Sequence, residues 1–97
     1  MVALTETQLD LVRSLLHQHV SGVRSWAYGS RVKGTARRTS DLDLVVFSEQ
    51  GDGRVFSLRE AFEESDLPFI VDVHVWSELP AEWQAEIELG KFELVSG

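Results

Sequence analysis

Ninety-seven residues, 43% of them hydrophobic, suffice for one compact domain over residues 1–97 and leave no material for a second core. The absence of cysteine excludes disulfides and thiolate metal sites, so any bound metal must rely on oxygen or imidazole donors. A formal net charge of −7 argues against a general electrostatic hold on nucleic acid, and no apolar stretch approaches membrane-spanning length, so neither nucleic-acid nor membrane binding is expected.

The opening Met1-Val2-Ala3-Leu4-Thr5-Glu6 lacks the basic and apolar regions of a secretory signal, which makes the cytoplasm the expected location. Thr5 and Gln8 have the spacing of a capping box, predicting a helix from about residue 6. Leu9, Val12, Leu16 and Val20 give that helix its apolar face, and Ser21-Gly22 its stop. Val23 to Tyr28 then reads as a short strand closed by Gly29-Ser30. Beyond a basic loop, Asp41 to Phe47 is apolar after its two carboxylates, the pattern of a central strand covered on both faces. Gly51-Asp52-Gly53 breaks the chain. Ser57 and Glu60 repeat the capping-box spacing and predict a short helix whose apolar side is Leu58, Ala61 and Phe62. Phe69 to Trp76 is a third strand, Pro80 to Gly90 a last helix with Trp83 and Ile87 on one face, and Lys91 to Val95 an edge strand. Strands alternating with helices predict an α/β sheet with helices on its faces.

Chemistry concentrates between Gly29 and Asp72. Asp41 and Asp43 are two apart on a strand, so their carboxylates share a face and repel. A pair of Mg²⁺ ions would offset that repulsion, because hard divalent cations take oxygen ligands and substrate phosphates together. Asp72 completes a three-carboxylate cluster if its strand pairs with that of Asp43. At Gly29-Ser30 the glycine admits close approach of backbone N–H groups to a phosphate, and the serine hydroxyl can donate to it. Four of the nine basic residues, Arg31, Lys33, Arg37 and Arg38, lie together in the following eight positions, a local anion site on an acidic body.

The segment Gly29-Ser30-Arg31-Val32-Lys33-Gly34-Thr35-Ala36-Arg37-Arg38-Thr39-Ser40-Asp41-Leu42-Asp43-Leu44 resembles the signature of the minimal nucleotidyltransferase family, a reduced branch of the DNA polymerase β-like superfamily. Val71-Asp72-Val73 resembles the strand bearing that family's third carboxylate, so the likeness spans roughly the whole chain. It implies a small mixed β-sheet with flanking helices. It also implies that Gly29 and Ser30, with Arg31 and Lys33, hold the triphosphate of ATP, that Asp41, Asp43 and Asp72 hold Mg²⁺, and that Asp72 assists the attacking hydroxyl. The implied activity is transfer of AMP to a tyrosine of a partner HEPN-domain ribonuclease toxin, which neutralises it. Two alternatives stand beside it: an antitoxin that acts by occlusion alone, and a nucleotidyltransferase acting on a small molecule.

Other residues receive structural readings. His74 shares the face of Asp72 by alternation, yet two residues of strand separate them by about 6–7 Å, which favours a hydrogen-bonded or partly exposed side chain. Trp26, Trp76 and Trp83 are expected in the core. His17 and His19 diverge on the first helix and are given no role. Thr39 and Ser40 are expected to orient the turn into the carboxylate strand, and the acidic stretches to be solvated helix faces.

Overall fold

The computed structural model describes Met1–Gly97. The chain runs α1 (Glu6–His19), β1 (Ser25–Tyr28), α2 (Ser30–Lys33), β2 (Leu42–Val46), α3 (Gly53–Glu63), β3 (Val71–Val75), α4 (Ala81–Leu89) and β4 (Phe92–Val95), with a 3₁₀ turn at Trp76–Glu78. The strands form one sheet in the order β3-β2-β1-β4. β1 is antiparallel to both β2 and β4, whereas β2 and β3 are parallel, so the sheet is mixed as expected. No helix is long and apolar enough to cross a membrane.

Local chemistry sets the element ends. The Thr5 hydroxyl accepts the Gln8 N–H at 3.1 Å and the Gln8 side chain accepts the Thr5 N–H at 3.0 Å, the reciprocal bonds of a capping box. For α3 the Ser57 start is wrong. Asp52 is the cap, its carboxylate accepting the Arg54 N–H at 3.0 Å, and the helix begins four residues earlier at Gly53. Asp52 follows a glycine turn with its side chain free to fold back on the first helical N–H, whereas Ser57 already lies inside the hydrogen-bonded ladder.

Alternation along the strands divides the sheet into two unlike faces. On one, Leu42, Leu44 and Val46 of β2 and Val73 and Val75 of β3 are buried beneath Val12 and Leu16 of α1 and Leu58 and Phe62 of α3. Burying each such side chain contributes about 1.5–3 kcal/mol, and this layer is the main source of stability. On the other, Trp26, Val45 and Ile87 of α4 form a smaller cluster with Tyr28, Phe47 and Trp76 packed around it. The Trp26, Phe47 and Trp76 rings lie 4.6–5.5 Å apart. Asp43, Asp72 and His74 stand on this second face.

β3 is a sheet edge, and one of its carbonyls is covered. The Arg59 guanidinium reaches from α3 and donates twice to Val73 O, at 3.1 and 2.7 Å. Trp83, expected in the core, is 51% exposed: Ile87 supplies the buried anchor of α4, and Trp83 is turned toward solvent beside Gly29.

Candidate active site

Parallel pairing of β2 with β3 puts Asp43 directly opposite Asp72 and Val45 opposite His74, while antiparallel pairing sets Tyr28 of β1 opposite Asp43. The pairing that the three-carboxylate reading required is therefore present for Asp43 and Asp72. Their carboxylates and the His74 imidazole lie within 4.8 Å of one another. Asp41 is not in this group. It stands exposed one residue ahead of β2, near enough for its charge to act on Asp43.

His74 is partly exposed and shares the face of Asp72, as expected. The pairing of the two strands adds that its imidazole and the Asp43 and Asp72 carboxylates project from neighbouring positions of that face. Tyr28 is a residue the sequence did not single out. Its ring lies 6.4 Å from that of His74, and it shares the wall of this site.

Electrostatics show what the arrangement lacks. Burial, and then the Asp72 carboxylate, raise the Asp43 pKa above its ordinary value; His74 works the other way and Asp41 adds a further push upward. The Tyr28 phenol is pushed up to about 12 by burial and by the charges of Asp43 and Asp72. A surplus of negative charge on a half-buried surface is stabilised by a bound cation. The donor set, two paired carboxylates and an imidazole with the Asp41 charge acting nearby, suits a divalent metal ion, so the residues fit the group that the signature implies.

Gly29 fits the same picture. Its backbone lies at φ 83, ψ −154, a region held almost only by glycine, and a Cβ there would lie 2.6 Å from Asp43 Oδ2. The glycine is thus the floor on which the Asp43 carboxylate rests. Ser30 opens α2, and the next turn closes on the Gly29 carbonyl through Val32 N–H and Lys33 N–H, each at 3.0 Å.

The basic segment divides. Arg31, assigned to the nucleotide from the sequence, is buried at 6% exposure and faces away from that task. It donates to Ser40 O at 3.0 Å, Ala3 O at 2.7 Å and Arg38 O at 3.0 Å, and its guanidinium lies 4.0 Å from the Phe69 ring centroid. Two carbonyls of its own loop and one from the N-terminal segment take three of its five donors, and the charge braces the loop instead of meeting phosphate. Lys33 remains exposed and lines a cavity of about 160 Å³ with Tyr28, Gly29, Trp83 and Ile87. Arg37 and Arg38 are exposed. Ser40 orients the turn before β2 as expected, its hydroxyl accepting the Arg37 N–H at 2.8 Å.

Comparison with known proteins agrees with this geometry. Residues 9–94 match the family model described as "Nucleotidyltransferase domain". Over 72 residues, 72% of the chain, the sequence is 46% identical to the "Probable protein adenylyltransferase MntA" of Haemophilus influenzae, of whose length the match covers 63%. Two solved structures share the fold: a toxin-antitoxin with AMP-PNP (TM-score 0.75, 18% identity) and a mutant of the toxin-antitoxin MntA-HpeT (TM-score 0.74, 16% identity). Each superposition covers 92% of this chain and 73% of the other.

Proposed function

The chain belongs to the nucleotidyltransferase domain family, and from that membership together with the site we propose that it transfers AMP from ATP to a tyrosine hydroxyl of a partner toxin with a HEPN ribonuclease domain, acting as its antitoxin. One observation carries the chemical half of this reading: the Asp43–Asp72 register, which sets two carboxylates side by side above Gly29. The toxin half is supported by likeness to the Haemophilus influenzae adenylyltransferase and to two toxin-antitoxin structures.

Asp41, Asp43 and Asp72 would hold Mg²⁺, which when bound neutralises phosphate charge and the developing charge on the leaving pyrophosphate. Gly29 and Ser30 receive the triphosphate at the strand end, and Lys33 adds a positive charge beside it. The acceptor oxygen bonds to the α-phosphorus as the bond to pyrophosphate breaks, and Asp72, more exposed than Asp43, receives the hydroxyl proton.

The test is incubation with ATP, Mg²⁺ and the toxin encoded beside it, followed by intact-mass measurement. Toxin mass should rise in AMP steps with the native chain and stay fixed with an Asp41→Asn/Asp43→Asn variant. An unmodified toxin that is nonetheless neutralised by both proteins would favour occlusion, and adenylylation of a small molecule alone would sink the toxin reading.

A further inference from the structure

We propose that His74 is a metal ligand, and that with Asp43 and Asp72 it forms a mixed oxygen–nitrogen site that prefers manganese(II) to magnesium. The inference rests on reading the carboxylate face as a metal site and adds to it a donor of different chemistry.

Geometry supplies the first argument. The three side chains come from adjacent strands in fixed register, each offering a ligand atom within 4.8 Å of the others. Ligands on opposite sides of one ion with bonds of about 2.1 Å are about 4.2 Å apart, so closure around a metal needs only small side-chain rotations. No side-chain hydrogen bond within the chain involves His74, and neither does the Asp52–Arg54 ion pair. The partly exposed imidazole therefore has no hydrogen-bond partner within the chain that a metal would have to displace. The Tyr28 ring lies tilted at 6.4 Å from the imidazole, on the side of Asp43.

Support for the carboxylates is independent of the cluster itself. The space under Asp43 exists only because residue 29 has no Cβ, and the chain adopts a glycine-only conformation there to keep it. Such a position holds a ligand oxygen in place before any ion arrives.

Donor chemistry then selects the ion. Magnesium binds carboxylate, phosphate and water and gains little from imidazole, while zinc, nickel and copper favour nitrogen. Manganese(II) suits oxygen donors and six-coordinate geometry as magnesium does, but as a first-row transition ion it gains more from an added imidazole nitrogen.

Manganese(II) alone, added to the full chain in a nitrogen-free buffer, gives a direct readout through electron spin-echo envelope modulation. Nitrogen modulation from a coordinated imidazole is expected, lost in His74→Gln and kept in His17→Gln. Labelling the native chain with ¹⁵N-histidine should change that modulation, a control that needs no variant to fold. Magnesium should displace manganese more easily from His74→Gln than from the native chain. Bound manganese without nitrogen modulation would overturn the role of His74 and leave the carboxylate site standing. Failure of the folded native chain to bind manganese at all would overturn both.

Discussion

Replacing Gly29 by alanine separates backbone strain from loss of a ligand, because Gly34 provides the control. Gly29 sits at φ 83, ψ −154, where a side chain costs about 1–3 kcal/mol, and its Cβ would strike Asp43 Oδ2 at 2.6 Å. Gly34 sits at φ 82, ψ 15, where an alanine costs about 1–2 kcal/mol, with nothing within 4 Å of its Cβ. Both variants should thus lose about 2 kcal/mol, and at about 4–8 °C per kcal/mol for a domain of this size both should melt about 8–16 °C lower. Only Gly29→Ala must also push the Asp43 carboxylate off its floor. Isothermal titration with Mn²⁺, at a temperature where both variants are folded, should find Gly34→Ala close to the native affinity and Gly29→Ala weaker by about tenfold or more, the equivalent of about 1.4 kcal/mol. Equal affinities in the two variants would refute the dependence of Asp43 on Gly29.

Arg31→Ala should destabilise the chain by about 3 kcal/mol or more in urea, since it strands the carbonyls of Ala3, Arg38 and Ser40, and Arg31→Lys should recover only part of that. Lys33→Ala should do the reverse, lowering ATP affinity at unchanged stability; an Arg31→Ala protein of native stability that fails to bind ATP would restore the nucleotide role of Arg31. Asp43→Asn should stabilise the metal-free chain at about pH 7. The folded pKa of Asp43 is raised, so its contribution is lost as pH rises through that value, and the advantage of the variant should vanish by about pH 3, where the carboxyl is protonated in both states. Tyr28 has its pKa raised from 10.0 to about 12, so native stability should fall as pH climbs across that window, and Tyr28→Phe should flatten the slope in a denaturation series.

Local chemistry made much of this molecule legible. The Thr5–Gln8 pair fixed the start of α1, and the strand of Asp43, which begins one residue after Asp41, announced its two-sided burial by its apolar run. The Gly29 to Leu44 signature pointed to the nucleotidyltransferase family to which the chain belongs. What escaped depends on contacts between distant segments. Nothing near Arg31 indicates that the carbonyl of Ala3, 28 positions away, waits for its guanidinium, so it read like Lys33, which does stay outside. Trp83 and Ile87 share a helical face, but how far that face is covered depends on how α4 meets the sheet. His74 was legible as a partly exposed side chain on the face of Asp72, but its nearness to Asp43 depends on how the next strand pairs.

The covered carbonyl of Val73 has a consequence for assembly. A two-pronged guanidinium on the rim of the sheet occupies an acceptor that an incoming strand would need, so β3 is a poor template for extending the sheet into another molecule. Asp72 itself stays exposed on the face of the sheet, so it is open to a side chain from outside even where the border resists an added strand.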